Sequence, residues 1–194
     1  MKPIIISGKI GAGKTSLCKL FEKKNYLIIN ADTIAKDLIR KDKRIQKELI
    51  ETFGVNIIEE KLISFNKLRK ILCSSKKNKD AIDGIVHPVF YDKIHKIISS
   101  SKDKKIIIEI PLIETCKLLK VDHILVFIKT DKEKRRSRYL VKNRSGNDIF
   151  EKLNKLQTNT DLSINISDHV ISNDGNIDEL IINFNELYRN INNE

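Results

Sequence analysis

The 194-residue chain has no tryptophan and little proline, glycine or cysteine, with three, seven and three residues of these types. So few glycines and prolines exclude collagen-like and Gly/Pro-rich low-complexity classes. Its cysteines, Cys18, Cys73 and Cys116, form no C-x-x-C pair, so neither a zinc cluster nor a disulfide framework is indicated. We therefore expect free thiols in a reducing compartment and a cytoplasmic location.

Long apolar runs are also missing. No run approaches the ~18 residues of a membrane span, and the run after Pro3 is too short for the apolar region of a signal peptide. We expect no membrane partner. Hydrophobic residues still make up 40% of the chain, which is too many for a disordered segment and enough for one domain with its own core.

Positive charge is in excess, with 37 Lys and Arg against 26 Asp and Glu, a net charge of +11. Such a charge fits a nucleic-acid partner, a small anionic substrate or a simple compositional bias. The charges are spread along the chain, and aromatic residues reach only 6%, so an array of rings for stacking bases is missing. The sequence favours a small anionic substrate and no nucleic-acid partner.

Five short apolar runs predict strands that are buried on both faces, as in a parallel sheet. Helical spacing of apolar residues between them predicts a doubly wound α/β fold. The predicted strands are Pro3–Ser7, Tyr26–Asn30, Lys105–Ile110, His123–Lys129 and His169–Ser172. The predicted helices cover residues 14–24, 33–53, 65–73, 79–86, 88–98, 148–156 and 178–191.

Two excursions interrupt the alternation of strands and helices. The longer segment, about residues 33–103, is predicted to be a helical insertion that forms a wall of a substrate cleft. The shorter segment, about residues 131–165, is predicted to be a charged, helical lid. The remaining stretches, about 1–32, 104–130 and 166–194, form the core of a single domain in this interpretation.

The most specific motif is Gly8-Lys9-Ile10-Gly11-Ala12-Gly13-Lys14-Thr15, which matches G-x-x-x-x-G-K-[ST] between a predicted strand and a predicted helix. Glycines let the backbone wrap a phosphate, and N–H groups at the helix start then face the anion. Lys14 can reach the β- and γ-phosphates, and the Thr15 hydroxyl can bind Mg²⁺. We predict that ATP phosphates bind at Gly11, Ala12, Gly13, Lys14, Thr15 and Ser16.

The motif does not identify the group that accepts the phosphoryl group, but the class of protein can be narrowed by elimination. No D-x-x-G or N-K-x-D segment of a GTPase occurs, and the apolar strand that ends in Glu109-Ile110-Pro111 lacks the paired acidic motif of helicases and transport ATPases. A small-molecule kinase remains. Asp32 follows the second strand, where ligands of open parallel sheets bind, and it can serve as a base or merely cap a helix that begins near Thr33.

The sequence resembles the dephospho-CoA kinase family over about residues 3–188. Any one matching segment is short, and the ordered set is what carries the resemblance. The matching segments are Gly8–Ser16, Asn30–Ala35, Phe53-Gly54 with Ile57-Ile58, His87-Pro88, Glu109–Glu114, Gln157, Ser167–Asn173 and Gly175.

This resemblance implies a P-loop kinase-type three-layer α/β/α fold with a five-stranded parallel sheet in the order 2-3-1-4-5. It also implies transfer of the γ-phosphoryl group of ATP to the ribose 3′-hydroxyl of dephospho-CoA, with Mg²⁺, as the last step of coenzyme A synthesis. The residue roles that it implies are a base at Asp32, lid arginines at Arg138 and Arg144, acceptor contacts at His87, Pro88 and Glu114, and an adenine-contacting loop at Asn173 and Gly175.

Several interpretations stay open at this point. Ser64-Phe65 replaces the acid and arginine that the family usually has there, and the second lid arginine aligns with either Lys142 or Arg144. We interpret Arg135 and Arg136 as exposed surface charges. The local alternatives are a structural role for His87, a helix-start acid for Glu114 and a simple turn for Asn173 and Gly175. Alternative functions are a nucleoside or nucleotide kinase of the same fold and a basic nucleic-acid-binding NTPase, and the oligomeric state is not determined.

Overall fold

The computed structural model describes residues 2–111, 119–142, 147–157 and 160–193. Its strands are β1 (Ile4–Gly8), β2 (Leu27–Asn30), β3 (Ile58–Glu59), β4 (Leu62–Ile63), β5 (Ile106–Glu109), β6 (Ile124–Lys129) and β7 (His169–Ser172). The described helices are α1 (Lys14–Glu22), α2 (Ala31–Lys41), α3 (Lys43–Phe53), α4 (Phe65–Leu72), α5 (Lys76–Ser100), α6 (Lys132–Lys142), α7 (Asn147–Lys155), α8 (Thr160–Asn165) and α9 (Ile177–Asn193). None of these helices is long and apolar enough to cross a membrane.

Five strands form one sheet in the order β2-β5-β1-β6-β7, and all of their pairings are parallel. Numbered by chain order among themselves, these strands read 2-3-1-4-5, so the predicted α/β class and strand order are confirmed. β1 lies at the centre, where Ile5 is opposite Ile108 of β5 and Leu125 of β6. All five residues of β1 are buried, as a continuous apolar run in a parallel sheet requires.

Helices α1 and α9 pack together beside the sheet around a group of aromatic rings. Phe21 of α1 contacts Phe184 of α9 edge-on, with ring centroids 4.9 Å apart, and it contacts Tyr26 at 5.1 Å. Tyr188 completes the group at 5.7 Å from Phe184. This packing buries the apolar face of α1 and so supports the loop that precedes the helix.

The chain divides into two compact units. One consists of residues 1–31 and 101–194 and contains the five-stranded sheet, and the other consists of residues 32–100. The second unit has its own core, in which the fully or nearly fully buried side chains include Ile45, Leu49 and Ile57. A two-stranded antiparallel hairpin, β3 and β4, belongs to this unit and was not predicted, because each strand is only two residues long.

Two predicted helix boundaries in the second unit are wrong. The stretch predicted as one helix over residues 33–53 is two helices, because the Asp42 side chain accepts the N–H groups of Arg44 and Ile45 and so starts α3. Conversely, the two helices predicted on either side of residue 87 form the single helix α5, which contains Pro88. Apolar residues on both sides of this proline, among them Val86 and Phe90, are buried and hold the helix together.

Candidate active site

The loop between β1 and α1 has a conformation that requires glycine at two positions. Gly11 and Gly13 have φ angles of 78° and 99°, which side chains rarely adopt. A Cβ at Gly11 would lie 2.3 Å from the backbone oxygen of Arg135, and one at Gly13 would lie 2.1 Å from the Asn173 side-chain nitrogen. Both backbone geometry and lack of space therefore exclude larger residues here.

The loop closes on itself and places a cation at the start of α1. The Ala12 N–H donates to the Lys9 carbonyl at 3.0 Å, and the Lys14 ammonium donates to the Gly8 and Lys9 carbonyls at 2.6 and 3.3 Å. Because the first N–H groups of a helix have no acceptor within it, the start of α1 is an anion site next to a lysine. Thr15 and Ser16 are exposed on the same turn.

A buried acid at the carboxyl end of β5 connects this loop to β2. Glu109 is 7% exposed, and its Oε1 accepts a hydrogen bond from the Thr15 hydroxyl at 3.0 Å. Its Oε2 accepts from the Asn30 side-chain amide at 2.8 Å. Nearby, burial raises the pKa of the Cys18 thiol, and the Glu109 carboxylate raises it further. The predicted site residues did not include Glu109, although a lone acid ends an otherwise apolar strand there.

The pair formed by Thr15 and Glu109 suits a hard divalent cation. Both side chains offer oxygen atoms, which Mg²⁺ prefers, and they meet at the phosphate loop. Mg²⁺ is commonly held in proteins by one or two side chains together with substrate phosphates. The donor set therefore fits Mg²⁺ shared with a nucleotide.

The loop after β7 and helix α6 are joined to the phosphate loop. Arg138 donates from Nη1 to the Asn173 carbonyl at 2.8 Å and from Nη2 to the Gly175 carbonyl at 2.9 Å. The Asn173 side chain is buried and donates to the Ala12 carbonyl at 2.7 Å, and the Thr130 hydroxyl donates to the same carbonyl at 3.0 Å. Four of the residues predicted from the sequence, Ala12, Arg138, Asn173 and Gly175, thus lie together.

Arg135 is not a surface charge, so that interpretation of its side chain is wrong. It is only 5% exposed, and it donates to the Thr130 carbonyl at 3.0 Å, to Asn154 Oδ1 at 2.8 Å and to the Ile10 carbonyl at 3.3 Å. Burial lowers the pKa of its guanidinium. The signal in the sequence was its position four residues before Tyr139, which is buried on the same face of α6. Arg136, in contrast, is half-exposed and forms an ion pair with Glu133.

Ile10 is held on its other side by Gln157. The Ile10 N–H donates to Gln157 Oε1 at 2.9 Å, and Gln157 Nε2 donates to the Pro111 carbonyl at 3.5 Å. The resemblance includes Gln157 as a matching residue but attaches no role to it. Its place beside the phosphate loop depends on tertiary structure, because the two positions are 147 residues apart in the chain.

Three of the predicted acceptor-side residues, Asp32, His87 and Pro88, belong to the second unit. Asp32 is the second residue of α2, so it cannot cap a helix that begins near Thr33, and its Oδ2 pairs with the Lys36 ammonium at 2.5 Å. His87 lies within α5 with its Nε2 3.6 Å from Asp83 Oδ1, and burial lowers the pKa of its imidazole. The prediction for Pro88 also falls within α5. Glu114 and Arg144, two further predicted site residues, and Cys116 lie outside the described residues.

A parallel sheet in this order, with a phosphate loop between its central strand and the first helix, defines a P-loop kinase. The fold is similar to the crystal structure of TT1252 from Thermus thermophilus (TM-score 0.79, 20% identity, 98% of each chain). It is also similar to a dephospho-CoA kinase from Campylobacter jejuni (TM-score 0.67, 20% identity, 97% of this chain and 96% of that chain). A shikimate kinase from Acinetobacter baumannii shares the fold more distantly (TM-score 0.58, 17% identity, 100% and 95% coverage).

Sequence comparison identifies the family within this class. The family model for dephospho-CoA kinase matches residues 3–179. A dephospho-CoA kinase from Fusobacterium nucleatum is 32% identical over 177 residues, which are 90% of this chain and 91% of the relative. One from Aquifex aeolicus is 27% identical over 193 residues, 98% of each chain. The chain belongs to the dephospho-CoA kinase family, as its motifs predicted, and the known role of this family is the final step of coenzyme A biosynthesis.

Proposed function

We propose that this chain transfers the γ-phosphoryl group of ATP to the ribose 3′-hydroxyl of dephospho-CoA in the cytoplasm, with Mg²⁺ and without a nucleic-acid or membrane partner. The observation that carries the proposal is the loop between β1 and α1, whose glycine conformations and Lys14 ammonium at the helix start support phosphate binding in a member of this family. ATP is the co-substrate that a kinase of this family implies.

In this proposal the loop and α1 bind the triphosphate. Lys14 exchanges its contacts with the Gly8 and Lys9 carbonyls for the β- and γ-phosphates, and N–H groups from Gly11 to Ser16 surround the phosphates. The Asn173–Gly175 loop, which Arg138 and Ala12 hold in position, binds the adenine. Arg144 is the second lid arginine, and Arg138 and Arg144 offset charge on the transferring group when the lid closes.

Thr15 and Glu109 are the residues that hold Mg²⁺, and Asn30 orients the Glu109 carboxylate. When bound, Mg²⁺ neutralises negative charge on the β- and γ-phosphates. The assignment is supported by the hydrogen bond between the Thr15 hydroxyl and the Glu109 carboxylate, which brings the two oxygen-bearing side chains together beside the loop.

Asp32 is the proposed base. Its carboxylate accepts the proton of the attacking 3′-hydroxyl, which gains a bond to the γ-phosphorus as ADP leaves with the bridging oxygen. Lys36 holds the carboxylate through the contact at 2.5 Å. We assign acceptor contacts to His87, Pro88 and Glu114 on the family resemblance.

The test is a mass-spectrometric assay of the purified protein with ATP, Mg²⁺ and dephospho-CoA. We expect Lys14→Ala to lower transfer at least about 10²-fold, the scale of one preorganised charge, whereas Lys19→Ala, an exposed lysine at the far end of α1, leaves it unchanged. Wild-type turnover of Lys14→Ala would remove the role of the phosphate loop.

Asp32→Asn should leave ATP binding intact and depress transfer. Asp37→Asn is the matched control, since Asp37 also pairs with a lysine four residues later on the same helix. An unchanged rate in Asp32→Asn would place the base elsewhere. Nucleosides and nucleotides in place of dephospho-CoA test the alternative kinase function, and faster turnover with one of them would overturn the proposed acceptor.

A further inference from the structure

Both peptide groups that flank Ile10 are held by side chains from outside the phosphate loop. Gln157 accepts the Ile10 N–H at 2.9 Å, and Arg135 donates from Nη1 to the Ile10 carbonyl at 3.3 Å. Arg135 also approaches the loop with its own backbone, since its carbonyl oxygen would be 2.3 Å from a Cβ on Gly11. The first turn of α6 therefore rests against the loop at Ile10 and Gly11.

The contact to the Ile10 carbonyl determines where the next N–H points. No cis peptide bond occurs in the described residues, and in a trans peptide the C=O and N–H of one unit point in opposite directions. The Ile10 carbonyl and the Gly11 N–H belong to the same unit. A donor that holds this carbonyl toward α6 consequently turns the Gly11 N–H away from α6.

Arg135 brings a charge and several hydrogen-bond donors into a buried position where packing alone would require only an apolar side chain. Its hydrogen bonds within the described structure go to neutral acceptors, the carbonyls of Thr130 and Ile10 and the side chain of Asn154, and its guanidinium lies 5.9 Å from the ring centre of Phe150. A buried cation is costly to keep in a core, and the nearby carboxylates of Asp131 and Glu151, which accept no hydrogen bond from the guanidinium, offset only part of that cost. A charged donor on a carbonyl also polarises the N–H of the same peptide unit, which strengthens that N–H as a donor.

We propose that Arg135 is a positioning residue of the phosphate loop, which aims and polarises the Gly11 N–H toward the nucleotide phosphates through the Ile10 carbonyl. Gln157 fixes the preceding peptide unit in the same way through the Ile10 N–H. The inference rests on the proposed function in one respect, namely that this loop binds ATP. It extends that function by linking the start of the lid helix α6 to the loop.

The chain offers a direct measurement. Of its seven glycines, only Gly11 follows an isoleucine, so labelling isoleucine with ¹³C at the carbonyl and glycine with ¹⁵N gives one amide signal that reports Gly11 alone. We expect this signal to move when ADP is added to the wild type. In Arg135→Met we expect it to be displaced before ADP is added, and ADP affinity to fall about tenfold, the scale of one hydrogen bond to a charged group.

Two variants make the test specific. Arg136→Met removes the neighbouring, half-exposed arginine and should leave ADP affinity and the Gly11 signal as in the wild type. Arg135→Lys keeps a buried cation and most of the stem, so it folds if Arg135→Met does not, and it should lose ADP affinity because one ammonium cannot reach the same acceptors. In steady state the Arg135 variants should raise KM for ATP and leave KM for dephospho-CoA unchanged, which a general loss of folded enzyme would not do.

The possible failures are distinguishable. A wild-type Gly11 signal that ignores saturating ADP overturns nucleotide binding by the loop, and with it the proposed function. If instead the Gly11 signal of Arg135→Met and Arg135→Lys responds to ADP as in the wild type, and both variants bind ADP with unchanged affinity, the role of Arg135 is overturned. The proposed function is then left intact.

Discussion

Replacing Glu109 should separate the structural role of its carboxylate from its chemical role. In Glu109→Ala, Thr15 and Asn30 both lose the acceptor of a hydrogen bond. A bond to a charged group contributes roughly 1.5–3 kcal/mol, and the exposed Thr15 hydroxyl can turn to water, so we expect a loss of about 2–3 kcal/mol. For a chain of this length the melting temperature then falls by about 4–12 °C.

Glu109→Gln should behave differently. It keeps the size of the side chain and one carbonyl oxygen, and its new amide can donate to the Thr15 hydroxyl, which can accept. We expect a loss of stability of no more than about 1 kcal/mol, or less than about 4 °C in melting temperature. The anionic oxygen beside Thr15 is lost, however, so we expect phosphoryl transfer to fall about 10²-fold.

The assay combines thermal unfolding followed by circular dichroism with a coupled measurement of ADP release over a range of Mg²⁺ concentrations. Glu186→Gln, an exposed position on α9, serves as the control and should change neither quantity. The reasoning is refuted if Glu109→Gln melts as low as Glu109→Ala, or if it turns over at the wild-type rate with the wild-type Mg²⁺ requirement.

Three further expectations follow from single contacts. Gly13→Ala should lower the melting temperature more than Gly54→Ala does, and it should abolish ADP binding in titrations. Both glycines have positive φ, but only at Gly13 would a Cβ lie against the Asn173 side chain. An equal fall in melting temperature would show that the Asn173 side chain moves aside at no cost. Arg138→Met should raise KM for ATP about tenfold, since its two bonds hold carbonyls of the 173–175 loop, and it should also lower kcat, since the proposed function has Arg138 offset charge on the transferring group. A wild-type KM would show that these bonds do not position the loop, and a wild-type kcat would remove the role of Arg138 at the transferring group. Burial lowers the pKa of His87, so the unfolded chain binds a proton more readily and the free energy of unfolding falls as pH drops below about 6.5. Between about pH 7 and about pH 5, urea unfolding should show a smaller loss of this free energy in His87→Gln than in the wild type. An identical loss in both proteins would contradict this expectation.

The sheet could be predicted from the sequence because its signal is local. The apolar runs in Pro3–Ser7 and Lys105–Ile110 predict strands that are buried on both faces, and the structure has the strands Ile4–Gly8 and Ile106–Glu109 there. Which strands are neighbours is a different question, since burial says nothing about pairing. The strand order came from the family resemblance, and hydrogen bonding in the sheet confirms it.

Helix boundaries in the second unit were less predictable, for physical reasons. Apolar spacing continues at helical period past Asp42, so periodicity alone cannot detect that its side chain accepts two N–H groups and begins a new helix. At Pro88 the opposite error arises, because local rules stop a helix before proline. Burial of residues on both sides of Pro88 outweighs the hydrogen bond that the proline cannot make.

The site shows the same division between local and tertiary information. The phosphate-loop motif specifies residues that can adopt the loop conformation, but it does not include the groups that hold that conformation. Those groups include Arg135, Gln157 and Asn173, which contact the loop from positions 125, 147 and 161 residues further along the chain. Composition suggested that Arg135 belongs to the surface, because arginine is seldom buried. Only the fold reveals that its buried donors meet a carbonyl of the loop.

The loop between β1 and α1 is coupled to helix α6 through these contacts. The carbonyls of Ile10 and Ala12 are held by side chains of α6 and of the loop after β7, and Arg138 on α6 holds that second loop in turn. A displacement of α6 therefore removes the donor of the Ile10 carbonyl directly, and it removes a support of Asn173, which shares the Ala12 carbonyl with Thr130. Since each carbonyl shares a peptide unit with the N–H of the following glycine, the orientation of the Gly11 N–H depends on the position of α6, and that of the Gly13 N–H depends on it in part. Nucleotide affinity should accordingly be sensitive to substitutions on the buried face of α6 and insensitive to those on its exposed face.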